Sequence, residues 1–240
     1  MTKGCIYYTD NRLNPVIMEV CQKQLRKAFD GKIVSVSLKP MDFGTNIYIE
    51  GLIPSYFTML RQIVTALEVS SSDVVFFTEH DVLYHPSHFE FTLTFGDVYY
   101  YNTNDWRWDY PKDRLINYDG LTSLSMMCCN RQLALMQYKK RLNRVLKDGL
   151  YNKEGKEPEW ARKWGYEPGR KRTKRGGFSD EKSDTWKSKY PNIDIRHNRT
   201  FSRRKVNLEE FKHKPDTKSW RETSLDKIDG WQDIKKMFDL

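Results

Sequence analysis

The sequence predicts an α/β domain on a largely parallel sheet, and three observations carry that expectation. Short β-rich runs alternate with helical periods through the first half, one run is apolar throughout, and polar clusters follow two of the strands directly. Residues 4–9 (GCIYYT) are the first strand and end in Thr9, Asp10, Asn11 and Arg12. Asn14 then offers an N-cap and Pro15 occupies the first helical position, where a missing N–H costs nothing; Val16, Ile17, Val20, Cys21 and Leu25 recur at helical spacing. Residues 33–38 (IVSVSL) form a second strand and 46–50 a third. A helix over 56–67 carries Phe57, Leu60, Ile63, Val64 and Leu67 on one side. Residues 74–78 (VVFFT) have the composition of a strand buried on both faces. Residues 121–127 lead to Asn130, the N-cap of a helix over 131–147 that Gly149 terminates. Leu133, Met136, Leu142 and Leu146 are expected to bury one side of it, with Lys139, Lys140, Arg141, Arg144 and Lys147 in solvent. Residues 224–240 fit a terminal amphipathic helix.

At 240 residues, with 38% hydrophobic, 14% aromatic and 30% charged side chains, the chain is too aromatic for disorder and too polar for a membrane protein. No apolar stretch reaches the roughly 20 residues of a bilayer span, and the first residues lack a leader pattern. Cys5, Cys21, Cys128 and Cys129 form neither a disulfide framework nor a metal knuckle, which fits reduced thiols in a cytoplasm. The expectation is one domain over 1–240, with a nucleotide-binding half (1–120), an acceptor half (121–205) containing a basic loop at 151–177, and a tail (206–240). Charge divides it: residues 1–120 hold 11 basic against 15 acidic side chains, net −4, and 121–240 hold 30 against 17, net +13. The second half is suited to an anionic partner or is simply a solvated basic surface.

Ligands of such sheets bind beyond the carboxyl ends of the strands. Glu79-His80-Asp81 follows VVFFT directly, and acids fixed at a strand terminus suit a divalent ion that keeps positions for phosphate oxygens. This stretch, VVFFTEHDVLYHPSHF, with the preceding YFTMLRQIVTALEVSSSD, resembles the core of the nucleotide-sugar-dependent glycosyltransferases of the GT-A fold, in which a buried strand ends in an acid-x-Asp motif. The segment 190–200 (YPNIDIRHNRT) resembles a late segment of small members of that family in which a histidine returns to the metal. The resemblance spans about residues 4–205 and implies a GT-A, Rossmann-like mixed sheet flanked by helices. It also implies a divalent cation (Mn2+ or Mg2+) on Asp81 and His197, and a nucleotide-sugar donor, UDP-linked by preference. Tyr8, Thr9, Asp10 and Asn11 take the place of a uridine-contacting loop, with Glu79, His80, Arg196 and Arg199 around sugar, ribose or diphosphate. Glu79 stands where the family has Asp, and Lys39 either neutralises phosphate or ends its strand.

An inverting transfer needs a carboxylate base on the acceptor side, and Asp105, Asp109, Asp180, Glu181 and Asp184 are the candidates; a retaining reaction needs none. Trp106, Trp108 and Tyr110 surround two of them and fit either a sugar platform or a core. Residues 151–177 carry nine Lys/Arg against four Glu, with Trp160, Trp164 and Tyr166 interleaved and the run Arg170, Lys171, Arg172, Lys174, Arg175. Cations among aromatics are what a phosphate backbone and unstacked bases require, so DNA carrying a hydroxymethylated base, modified by a viral enzyme, is the preferred acceptor. A lid over the diphosphate, a saccharide or protein acceptor, and a non-catalytic nucleic-acid-binding protein are the alternatives. Oligomeric state is open.

Overall fold

The structure, a computed structural model, describes residues 1–154, 158–164, 166–169, 181–198, 204–211 and 218–240. Its centre is a seven-stranded mixed sheet. The strands are β1 (Lys3–Thr9), β2 (Lys32–Ser37), β3 (Thr45–Tyr48), β4 (Val74–Glu79), β6 (Val98–Asn102), β9 (Met127–Asn130) and β10 (Lys182–Trp186), in the order β10-β6-β9-β4-β1-β2-β3. The helices α1 (Pro15–Ala28), α2 (Tyr56–Val69) and α3 (Arg131–Lys147) flank it. A second sheet, β12-β8-β7-β11-β5, is formed by β5 (Val82–Leu83), β7 (Asp105–Trp108), β8 (Leu115–Asn117), β11 (Asn192–Ile195) and β12 (Arg221–Thr223). The mixed sheet flanked by helices agrees with the fold expected. It is largely parallel, with β9 alone antiparallel, between β4 and β6.

The local signals explain most elements. Asn14 caps α1 through Val16 N, and Ser55 caps α2 through Thr58 N. Asn130 accepts from both Gln132 N and Leu133 N at the start of α3, whose exit is turned by Gly149 at φ +67°. Strand β4 is buried on both faces, as its composition predicts. Val75 and Phe77 enter a core with Ile6, Tyr8, Leu60, Ile63 and Leu67 beneath α2, while Val74 and Phe76 enter another with Cys5, Tyr7, Tyr84 and Phe89.

Three expectations are corrected. Met136 and Leu146 are exposed and Arg141 is buried: α3 turns Ala134, Tyr138, Leu142 and Val145 inward, and the Arg141 guanidinium donates to Tyr166 O at 2.8 Å. The basic loop is not wholly surface chain, since it contains α4 (Glu159–Trp164), and Trp160 and Tyr166 pack against Tyr56. The tail is not one amphipathic helix. It supplies β12, a 3-10 turn at Leu225–Lys227 and the short α5 (Ile234–Met237). Leu225, Ile228, Trp231, Ile234 and Phe238 from it share a third core with Ile17, Trp108, Ile193 and Ile195. Among the described residues no helix is long and apolar enough to cross a membrane.

Candidate functional site

Strands β1 and β4 pair in parallel with Tyr8 opposite Glu79, so Thr9 and His80 emerge side by side at the carboxyl rim. His80 Nδ1 lies 2.6 Å from Thr9 Oγ1. The chain reverses at once into β5, which pairs antiparallel with β11, and Ile195 N donates to Asp81 O at 2.8 Å. Strand β11 therefore ends at the same rim and brings His197 Nε2 to 3.4 Å from Asp81 Oδ2. One ligand atom from each of His80, Asp81 and His197 lies within 4.8 Å of the others, a spacing that a single cation can bridge. Sequence reasoning pairs Asp81 with His197; the structure adds His80, placed beforehand on the donor.

Two carboxyls two residues apart are driven in opposite directions. Burial, then the neighbouring Asp81, pushes Glu79 up to about 8, although Tyr8 donates to its Oε1 at 2.5 Å. Burial also works against Asp81, but the hydrogen bond from His197 and the charges of His80, His197 and Arg196 outweigh it and hold that carboxyl below its ordinary range. Asp81 is the anion of the pair, and Glu79 stays within hydrogen-bond reach of Tyr8.

Beside this cluster lies a cleft of about 630 Å³ lined by Tyr8, Thr9, Asp10, Ser55, Met59 and Gln62, together with the Glu79–Asp81 turn. The amino end of α2 borders it through Ser55 and Thr58, and the helix dipole there favours an anionic ligand. Gln62 donates to Thr9 O at 2.7 Å and Val36 O at 3.2 Å, tying two strand ends together. Sequence reasoning did not mark Ser55, Thr58, Met59 or Gln62. The available signals were the N-cap at Ser55 and a glutamine on the apolar side of α2. Asp10 binds Arg12 at 2.8 Å, and Asn11, at φ +58°, accepts from Leu38 N and Lys39 N, so these residues shape the loop at the cleft's edge. Lys39 is exposed just beyond it. Arg196 is buried and chelated by Asp194 at 3.1 and 3.3 Å. Arg199 lies outside the described residues.

The five candidate bases separate. Asp109 is fully buried and held by Arg204, with Lys112 at 3.4 Å and Arg114 at 4.0 Å, which makes it a structural ion centre. Asp184 is exposed on the edge strand β10, level with Tyr100, and Glu181 precedes that strand near the opposite rim. Asp180 lies outside the described residues, as do Arg170, Lys171, Arg172, Lys174 and Arg175. Asp105 is fully buried at the start of β7; its Oδ2 accepts from Ser123 at 3.3 Å and its Oδ1 has no partner. Burial, then Asp194, raises it to about 7, against the smaller opposing effects of Arg107, Ser123 and Arg196. Trp108 belongs to the third core, Trp106 and Tyr110 are half-buried and pack against it, and Trp106 also borders a cleft.

That carboxyl gives a pH prediction. An acid raised on folding contributes stability that is fully present below its unfolded value near 3.8 and lost as pH rises through about 7. Scanning calorimetry is therefore expected to show wild type losing stability relative to Asp105→Asn between pH 4 and 8. A constant difference across that range contradicts the assignment.

No family model matches the chain, and no curated protein matches it. Among solved structures it is similar to the bifunctional IspDF from Campylobacter jejuni, with a TM-score of 0.35 and 11% identity over 64% of this chain and 48% of that one. It is similar also to the apo-form glycosyltransferase GlyE of Streptococcus pneumoniae TIGR4, with a TM-score of 0.38 and 10% identity over 66% and 41%. A third is a glycosyltransferase involved in the glycosylation of the major capsid of PBCV-1, with a TM-score of 0.44 and 9% identity over 78% and 82%. The chain spans less than half the length of the first two.

Proposed function

We propose that this protein is a metal-dependent glycosyltransferase of the GT-A type that moves a sugar from a nucleotide donor, UDP-linked by preference, to an acceptor hydroxyl. The observation that supports this most is the meeting of His80, Asp81 and His197 at the carboxyl rim, beside a cleft bordered by the amino end of α2. The donor set suits a divalent ion. Asp81 is held anionic, and two imidazoles favour Mn2+ over Mg2+, whose preference is for oxygen throughout. When bound, the ion supplies positive charge against the leaving diphosphate.

The chain's own residues supply the rest. Tyr8, Thr9, Asp10 and the α2 residues hold the nucleoside, and Thr9 fixes the His80 ring through its Nδ1. Among the five candidate bases we favour Asp105 on its chemistry. In an inverting transfer its carboxylate takes the acceptor's hydroxyl proton, the acceptor oxygen bonds to the anomeric carbon, and the bond from that carbon to the diphosphate breaks with its electron pair. The partnerless Oδ1 and a carboxyl raised to about 7 suit that role at neutral pH.

The net charge of +13 in the second half supports DNA carrying a hydroxymethylated base as the acceptor. Incubation with a panel of nucleotide sugars, Mn2+ and such DNA, followed by mass spectrometry of the nucleosides, is expected to show a hexose or pentose mass gain. No gain with any donor on DNA, but gain on an oligosaccharide, moves the acceptor class; DNA binding with no transfer and no UDP binding supports a non-catalytic protein. Neutralising the basic residues at 170–175 is expected to weaken DNA binding and flatten its salt dependence by several units, leaving UDP binding unchanged. A salt titration of DNA affinity checks it.

A further inference from the structure

Gln62 lines the donor cleft with only 3% of its surface exposed, and its amide is held in a single orientation. Its Nε2 protons go to Thr9 O at 2.7 Å and Val36 O at 3.2 Å, near the ends of β1 and β2. Turning the amide over would set its carbonyl against those two carbonyl oxygens, so Oε1 faces away from both. That oxygen accepts nothing from the described residues, yet it is not sealed in the core, and the open space beside Gln62 is the cleft. The neighbouring side chains have committed their own protons. Ser55 Oγ donates to Thr58 Oγ1 at 3.0 Å, Thr58 Oγ1 to Ile53 O at 2.5 Å and Tyr8 to Glu79 Oε1. Thr9 Oγ1 is shared between His80 Nδ1 and Asn11 N. At Gln62 the cleft therefore presents an acceptor that no protein donor satisfies, which a ligand N–H completes.

Position decides which part of a nucleotide meets it. Ser55, Thr58, Met59 and Gln62 all line the cleft and recur at i, i+3, i+4 and i+7, one face of α2. Gln62 thus lies about 10 Å along the helix from Ser55. Across the sheet its carbonyl partners belong to β1 and β2, whereas Asp81 follows β4, on the other side of β1. From β4 to β2 is two interstrand steps, about 10 Å. With the diphosphate at Asp81, the ribose takes the middle of the cleft and the base reaches Gln62.

We propose that Gln62 selects the donor's base: its Oε1 accepts the ring imide N–H of uracil and rejects cytosine, whose ring nitrogen at the same position carries a lone pair. This rests on the glycosyltransferase reading and accounts for the choice of nucleotide within it. The discrimination comes from the fixed amide. Because Nε2 is held by two strand carbonyls, the side chain cannot turn over to suit a base of the opposite pattern, and a mismatched base leaves both lone pairs facing each other.

The test compares UDP with CDP, each with Mn2+, by isothermal titration calorimetry on wild type and on Gln62→Met, which keeps the length of the side chain and removes both polar atoms of the amide. Wild type is expected to bind UDP at least roughly tenfold tighter than CDP, the scale of one buried acceptor left unmatched. Gln62→Met is expected to weaken UDP by about that factor and bring the two nucleotides within about twofold of each other. A residue that only ties β1 to β2 would weaken both nucleotides alike and leave their ratio intact. Should Gln62→Met fail to fold, wild type alone decides: in nitrogen-15-labelled UDP bound with Mg2+, NMR is expected to show the imino proton protected from exchange with water. Equal wild-type affinity for UDP and CDP, a ratio that survives in Gln62→Met, or an imino proton exchanging as in free UDP each overturn the assignment while nucleotide binding itself stands. Binding of neither nucleotide by wild type overturns the glycosyltransferase reading and this inference with it.

Discussion

Asp81→Asn is expected to abolish the stabilisation that UDP and Mn2+ together confer. A ligand at a hundred times its dissociation constant stabilises a fold by about 2.7 kcal/mol. For a chain of this size that corresponds to roughly 5–10 °C in melting temperature. The amide keeps the shape of the carboxyl but removes the anion that sits 3.4 Å from His197 and within bridging distance of His80. The variant is expected to fold, because backbone bonds such as Ile195 N to Asp81 O hold the turn. Differential scanning fluorimetry with UDP, Mn2+ and both checks it. A full shift retained in the variant removes Asp81 from the ligand set and takes the metal site with it.

Trp231→Ala is expected to destabilise the protein by about 3–5 kcal/mol, the range for deleting a large buried aromatic, or roughly 6–20 °C in melting temperature. The ring is buried in the third core with Ile17, Trp108, Ile193 and Phe238, and its indole N–H donates to Pro191 O at 2.8 Å. That bond lies one residue before β11, the strand that carries His197, so the substitution is expected to weaken UDP–Mn2+ binding as well as the fold. Trp231→Phe, which keeps most of the apolar volume but loses the N–H and part of the ring, is expected to recover most of the stability. Calorimetry on the three proteins decides; equal melting temperatures mean that the tail does not belong to the core.

Where the sequence was legible, one local signal was sufficient. The apolar run of β4, the caps at Asn14 and Asn130 and the stop at Gly149 each act within a few residues, and each element appears where those signals put it. The errors come from partners distant in the chain. Arg141 has the pattern of a solvated cation until Tyr166, 25 residues on, supplies the carbonyl that receives it. The tail has a helical period but breaks into a strand and short turns, because its apolar residues answer to Trp108 and Ile193 in the second sheet. At the site, His197 and Asp81 were accessible from the family resemblance. His80 as a third candidate ligand was not, since its place depends on the Thr9 hydroxyl brought alongside by parallel pairing. Asp105 and Asp109 look alike in sequence; the cations gathered around Asp109, among them Arg204 95 residues later, tell them apart.

Strand β11 is hydrogen-bonded to β5 on one side and β7 on the other, and its alternate residues face opposite ways. Ile193 and Ile195 point into hydrocarbon, leaving Asn192, Asp194 and Arg196 for the polar face. Deleting a single residue inside it would exchange the two sets at one stroke, burying charge in apolar packing and pulling His197 short of the rim. This four-residue rail thus ties the turn after β4 mechanically to β7, and a length change there is transmitted to both.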